Sequence, residues 1–178
     1  EAAFRQAAQD ADAVITSGGV SVGEADHTKQ VMKTLGDVLF WRIAMRPGRP
    51  MAIGRITSGG HDAILFGLPG NPVAVMVTFY AFVRDALLKL SGVAPVSPLP
   101  RFRVPCVTPL KKRPGRSEFQ RGVLFHENGE WKVRATASQG SGVLRSMSEA
   151  NCLIVVEPER GNVEPGEAVD VQPFEGLV

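Results

Sequence analysis

Ser17–Thr28 reads SGGVSVGEADHT, and the residues on either side of it say what kind of fold it sits in. The apolar run Ala13-Val14-Ile15-Thr16 before it reads as a buried parallel strand. From Asp26 to Leu35 a helical pattern follows, with Val31, Met32 and Leu35 on one face. The stretch therefore links the carboxyl end of a strand to the start of a helix, where open α/β sheets bind ligands. Gly18, Gly19 and Gly23 permit positive φ and close backbone approach. Free amides at a helix start favour an anion. Glu24 and Asp26 are unusual in a pure phosphate cradle, and carboxylates beside a phosphate suggest Mg²⁺ bridging the two. The plainer alternative is a βα turn with Asp26 as N-cap. The spacing is neither G-x-G-x-x-G nor Walker A.

A second loop of the same kind lies downstream. Gly67–Pro72 is GLPGNP and also follows a predicted strand, Ala63–Phe66. Asn71 reads as an N-cap and Pro72 as the first helical residue. Two such loops from one sheet can share a crevice. The helix from Pro72 to Leu90 is apolar almost all round before Arg84, which predicts burial on most faces, within a sandwich or against another subunit.

Between the two loops, Val38–Met45 (VLFWRIAM) reads as one strand, with Gly36 as the stop of the helix before it. Next comes RPGRP, Arg46–Pro50, whose prolines and glycine hold Arg46 and Arg49 on a stiff connection. Two fixed guanidinium groups suit an oxyanion clamp, and a solvated turn is the alternative. Met51–Ile56 and Ala63–Phe66 are predicted strands about the turn Thr57–Asp62, in which His61 reads as a solvated side chain.

Ala94–Pro100 (APVSPLP) is Pro-rich and reads as a linker. Beyond it, Val104–Val107, Gly122–Phe125, Trp131–Ala135, Leu153–Val156 and Ala168–Val171 are short β-prone runs punctuated by turns such as Asn128-Gly129 and Pro165-Gly166. They predict a small all-β barrel or sandwich. Seven basic residues and one acid, Glu118, lie within Arg101–Arg121, whereas Glu149–Glu175 holds seven acids against Arg160. The basic part faces an anion or an acidic partner, or else the two parts are solvated faces. Ser141, in a polar QGS loop, is a candidate oxyanion donor or a simple turn serine.

Composition sets outer limits. The 178 residues hold one large domain or two small ones, and a net charge of +2 is too small for general nucleic-acid binding. Cys106 and Cys152 form no C-x-x-C pair, which argues against a zinc site or a disulfide framework and fits a reducing compartment. The longest apolar run is too short to span a bilayer. Glu1 falls inside a helical pattern and is not Met, so the chain is expected to be part of a longer protein. No Ser–His–Asp set or activated cysteine is visible, so catalysis is expected to rest on positioning and electrostatics.

In order, SGGVSVGEADHT, RPGRP, LPGNP, RPGRSEFQRG and QGSGVLRSMSEAN closely resemble the molybdopterin molybdenumtransferase (MoeA) family, also seen as the E domain of gephyrin. The resemblance spans essentially the whole chain. It implies a molybdopterin-binding three-layer α/β domain with a mostly parallel sheet over 1–93, lacking its first part, a linker over 94–100, and a C-terminal β domain over 101–178. It implies a cytoplasmic homodimer that inserts molybdate into adenylylated molybdopterin and releases AMP, assisted by Mg²⁺. The molybdopterin adenylyltransferase and molybdoenzymes are its implied partners. By this resemblance Ser17, Gly18, Gly19, Ser21 and Gly23 hold the pterin phosphate, with Glu24 beside them. Asp26 is the acidic, metal-bearing catalytic position. Arg46 and Arg49 are the catalytic basic pair, more often lysine in the family. Pro69, Gly70, Asn71 and Pro72 form the second ligand loop, and Arg116, Arg121 and Ser141 stand close to the oxyanion. Ala74 occupies a position where many relatives carry serine. The alternatives are an adenylyltransferase-type enzyme, which would lack the β unit, and a non-catalytic gephyrin-like binding module.

Overall fold

A computed structural model describes residues 1–20, 26–140 and 142–174, without the side chains of residues 26 and 27. The chain forms two compact units, one of residues 1–43 and 48–94, the other of residues 44–47 and 95–178.

The first unit contains α1 (Ala2–Asp10), β1 (Ala13–Ser17), α2 (Asp26–Leu35), β2 (Gly36–Arg42), β4 (Pro50–Ser58) and β5 (His61–Leu68), with β3 (Met45–Arg46) belonging to the other unit. A continuous helical stretch follows: α3 (Pro72–Thr78), a π-helical segment (Phe79–Val83) and α4 (Arg84–Leu90). The sheet order is β1-β5-β4-β2, with β1 parallel to β5 and the other neighbours antiparallel. The sheet is thus mixed, not mostly parallel. The reason is local: the Gly59-Gly60 turn joins β4 to β5 with no room for a crossover, so the two must run antiparallel.

Two cores lie on the two faces of this sheet. Ala8, Met32, Leu35, Val38, Ile56 and Leu65 pack together, with Phe4 and Val31 against them. Met51, Phe66, Leu68 and Val83 form the second core, joined by Val75, Phe79 and Leu87. Consecutive residues of β5 therefore serve opposite cores, which explains why AILFGL is apolar throughout. The helical stretch 72–90 buries one side only: Val73, Val77 and Val83 are covered, whereas Phe82 is 41% exposed. Burial on most faces, expected from its composition, is not found within this chain.

Gly36 opens β2 and does not cap α2. A Cβ there would run into the Arg55 carbonyl, so glycine permits the close approach of β2 to β4. The predicted strand 38–45 divides: β2 ends at Arg42, and Met45-Arg46 forms β3, parallel to residues 117–118 in the second unit. His61 is not simply solvated, because its Nδ1 lies 2.8 Å from the Ala8 carbonyl and ties the turn to α1.

The second unit adds β6 (Phe102–Pro105), β7 (Ser117–Glu127), β8 (Glu130–Ala135), a short α5 (Arg145–Ser148), β9 (Cys152–Val156) and β10 (Ala168–Pro173). Its sheet runs β3-β7-β9-β10-β6, with β8 paired to β7. No closed barrel forms, and an isolated bridge from Cys106 to Val133 is what links the chain after β6 to β8. The core is Val104, Cys106, Leu110, Val133, Ile154 and Val171 with their neighbours. β7 begins earlier than predicted because Ser117–Arg121 looks polar, yet Glu118, Gln120 and Arg121 are all buried.

Candidate functional site

β1 and β5 are parallel neighbours with Ser17 opposite Leu68, so the loops that follow them leave the sheet at one level. The Gly18 amide donates to the Leu68 carbonyl at 3.0 Å. Gly18 and Gly19 have φ of +90° and +74°, a region that disfavours any residue with a Cβ. A Cβ on Gly70 would stand 3.4 Å from Gly18 Cα, so the two loops touch backbone to backbone. Asn71 caps α3 by accepting from the Ala74 amide, and Pro72 occupies the first turn. Ser17, Gly18, Gly19, Pro69, Gly70, Asn71 and Pro72 are thus gathered at one end of one sheet. Behind Ser17, the Thr16 hydroxyl is buried with no hydrogen-bond partner among the described residues. Ser21, Gly23 and Glu24 lie outside the described residues, as does the side chain of Asp26, whose backbone opens α2.

An open cleft of about 370 Å³ in the same unit is lined by Val20, Lys29, Phe40, Trp41, Arg42, Arg49 and neighbours. Lys29 and Lys33 place their ammonium groups 5.9 and 5.8 Å from the Phe40 ring. Trp41 is 56% exposed. Aromatic surface beside three cations suits a flat ring carrying an anionic group. Of these residues only Arg49 was expected from the sequence. The triplet Phe40-Trp41-Arg42, aromatic residues next to a cation, was the available signal.

Arg46 does not share this cleft. It belongs to the second unit, where it lines an inner cleft of about 350 Å³ with Lys111, Glu118, Gln120, Arg121 and Gln139. The two guanidinium groups of RPGRP therefore line separate clefts. Arg121 is 2% exposed, and its Nε donates to Ser146 Oγ at 3.1 Å and its Nη2 to the carbonyls of Gly140 and Ser138. Its main chain exchanges two hydrogen bonds with the Gln139 amide group, so Arg121 and Gln139 bind the 138–140 loop to β7. No carboxylate pairs with Arg121 among the described residues. Burial, and then the like charge of Arg46, hold its pKa below the usual arginine value. A buried cation without a counter-carboxylate attracts an anion into the adjoining space.

Glu118, 4% exposed at its side chain, organises the neighbouring cations. Its Oε1 accepts from Arg116 Nε at 3.2 Å and lies 4.0 Å from Arg46 Nη1, while Oε2 accepts from Gln120 Nε2. Arg46, Arg116 and Arg121 are thus brought into one unit, and Ser141 lies outside the described residues.

Among the described residues, no three His, Cys, Asp or Glu side chains gather as a metal site. Both thiols are buried, and burial pushes Cys152 up to about 12, which removes it as a nucleophile. The described donor set therefore does not itself provide for Mg²⁺.

Residues 1–89 match the family described as a probable molybdopterin binding domain, and residues 103–174 the MoeA C-terminal region, domain IV. A molybdopterin molybdenumtransferase of Haemophilus influenzae is 46% identical over 179 residues, covering 100% of this chain and 43% of that protein. Gephyrin of Dictyostelium discoideum is 34% identical over 177 residues, covering 89% of this chain and 25% of its own length. Among solved structures, a molybdopterin biosynthesis MoeA protein from Pyrococcus horikosii superposes with a TM-score of 0.74 at 27% identity, covering 98% of this chain and 40% of that one. A molybdenum cofactor biosynthesis protein from Pyrococcus furiosus gives 0.68 at 27% identity, with 97% and 53% covered. The chain spans less than half the length of these two curated relatives.

Proposed function

The chain belongs to the MoeA family of molybdopterin-binding proteins, and from that premise we propose that it forms part of an enzyme of molybdenum cofactor biosynthesis. The longer protein inserts molybdate into adenylylated molybdopterin and releases AMP. The observation that carries this reading is the inner cleft of the second unit. There Arg121, buried and without a carboxylate partner among the described residues, and the half-exposed Arg46 offer a positive receptor, shared with Glu118, of a size to take a tetrahedral oxyanion such as molybdate.

The glycine loops and the aromatic cleft of the first unit hold the pterin and its phosphate. Backbone amides at Gly19 and Gly70 serve the phosphate, the Gly18 amide being taken by Leu68, and Lys29, Arg42 and Arg49 balance its charge. Molybdate and the nucleotide are both anions, so their encounter needs cations that are fixed in place before reaction, and Arg46 and Arg49 act catalytically in that sense. Mg²⁺ is implied by the family resemblance; Asp26 would hold it, and it would supply polarisation of a phosphoryl oxygen. Ser21, Gly23, Glu24, Arg116 and Ser141 complete the binding set in this reading. The longer protein works as a homodimer in the cytoplasm, and exposed Phe82, Leu90 and Val93 give this chain apolar surface for assembly. No helix among the described residues is long and apolar enough to cross a membrane. An adenylyltransferase activity is not favoured, since the second unit corresponds to the MoeA C-terminal region.

The test is molybdate-dependent AMP release by the full-length protein. Asp26→Ala is expected to abolish release while circular dichroism stays unchanged, and normal release would remove Asp26 from the mechanism. ATP consumption without molybdate would overturn the reading in favour of the adenylyltransferase.

A further inference from the structure

The second unit carries a further, outer cleft of about 510 Å³. Arg46, Lys111, Lys112, Arg113, Arg116 and Asn162 line it, and among the described residues Glu118 is the one acid in the lining. That carboxylate is already engaged by Arg116 and Gln120, so five cations face the cleft against one committed anion. The wall has no aromatic residue. Recognition there rests on charge and not on ring stacking.

The cleft is built, not a chance meeting of surface lysines. Lys112 is 5% exposed, and its ammonium donates to the carbonyls of Arg160 (2.6 Å), Pro158 (3.3 Å) and Arg113 (3.4 Å). Carbonyl dipoles solvate the ammonium but leave its full positive charge in place. The Lys112 amide donates to Asn162 Oδ1 at 3.0 Å, the Gly115 amide to the Pro158 carbonyl at 2.8 Å, and Leu110 pairs with Val163. The segment bearing Lys111, Arg113 and Arg116 is therefore fixed to 158–163 before any ligand arrives. Such preorganisation spares a ligand the cost of ordering the loop.

We propose that this outer cleft is a separate anion site for a condensed phosphate, a diphosphate group that is free or borne by an ester. A single phosphate carries about two charges, too few to balance this lining, whereas a diphosphate carries about three to four and presents several oxygens to arginine forks. The site adjoins the inner cleft through Arg46, Lys111 and Glu118, so the two anions would sit side by side. The inference depends on the second unit alone and holds whether or not the longer protein transfers molybdate.

Calorimetric titration of the 178-residue chain with pyrophosphate, ADP and molybdate tests it. Arg113→Gln alters an exposed residue that lines the outer cleft and not the inner one. It is expected to weaken pyrophosphate binding by about tenfold or more while molybdate affinity changes less than about twofold. ADP binding as tightly as pyrophosphate assigns the site to esters, and pyrophosphate alone to the free ion, and either result supports the site. Hydrogen exchange should slow at backbone amides of 110–116 and 158–163 when pyrophosphate is added. No pyrophosphate binding by the unaltered chain, or parallel losses for pyrophosphate and molybdate in Arg113→Gln, would overturn the proposal.

Discussion

Gly19 stands against Thr28: a Cβ built on Gly19 would lie 2.6 Å from Thr28 Cγ2. Gly19→Ala therefore faces both a steric clash and a φ of +74°, whereas Gly18→Ala, at φ +90°, meets nothing closer than 3.9 Å. Gly18→Ala is expected to cost about 1–2 kcal/mol and Gly19→Ala more. Adding Thr28→Ala to Gly19→Ala should restore about 0.5–1 kcal/mol, read as a coupling energy in a urea-unfolding cycle. Additive losses would deny the contact.

Arg121→Gln removes the fork that holds Ser146 and the 138–140 loop. With several charge-assisted bonds lost at a buried site, a loss of about 2–4 kcal/mol is expected. Ser146→Ala alone should cost about 1 kcal/mol, and almost nothing when Arg121 is already replaced. Thermal unfolding of the single and double variants checks this.

Cys152 has a pH signature. Its thiol is raised from 9.0 to about 12 by burial, so the folded protein keeps the proton that the unfolded chain releases above pH 9. Below pH 9 both states are protonated and the group contributes no pH dependence. Above it, stability falls with rising pH at up to about 1.4 kcal/mol per unit until the folded thiol also ionises. Cys152→Ser or Cys152→Ala should flatten that part of the stability curve relative to the unaltered chain. The thiol should also resist disulfide reagents at pH 8 until the protein is unfolded.

Trp41, though exposed, should matter for binding and little for folding. Trp41→Ala is expected to change stability by less than about 0.5 kcal/mol yet weaken molybdopterin binding by the full-length protein about tenfold, the worth of one aromatic stacking contact. The chain has two tryptophans, so in a Trp131→Phe background the remaining emission reports Trp41 and should be quenched by the pterin. Unchanged emission at saturating ligand would place the pterin elsewhere.

Thr78 is fully buried, and its hydroxyl has no partner among the described residues. Thr78→Val keeps the shape and removes the stranded oxygen. Stability should rise by about 1 kcal/mol, whereas a loss would reveal a hydrogen bond to the hydroxyl.

What could be read from the sequence was what short-range chemistry decides. The strand expected at Ala13–Thr16, the α2 helix and the Asn71-Pro72 helix start follow from runs, caps and proline within a few residues, and all are found there, the strand one residue longer. The mixed sheet was partly legible, since the turn between Thr57 and Asp62 forbids a parallel crossover. Long-range pairing left no such trace. Nothing in Met45-Arg46 announces that its partner is Ser117-Glu118, some seventy residues later. Ser117–Arg121 resembles a solvated loop because its polar side chains are satisfied by Arg116, Ser146 and the carbonyls of Ser138 and Gly140, most of which sequence alone cannot bring near. The assignment of Arg46 and Arg49 to different units has the same origin, for it depends on the pairing of Met45-Arg46 with β7.

The excursion of residues 44–47 out of the first unit means that no single cut frees either half. A piece starting at residue 95 would carry β7 without β3, and its raw edge, lined by Ser117 and Glu118, would be open to pairing with another copy. A piece ending at residue 94 would carry Met45 and Arg46 as an unpaired tongue. The chain is stitched rather than beaded, and anyone dissecting it by truncation should expect neither product to behave as a miniature of the whole.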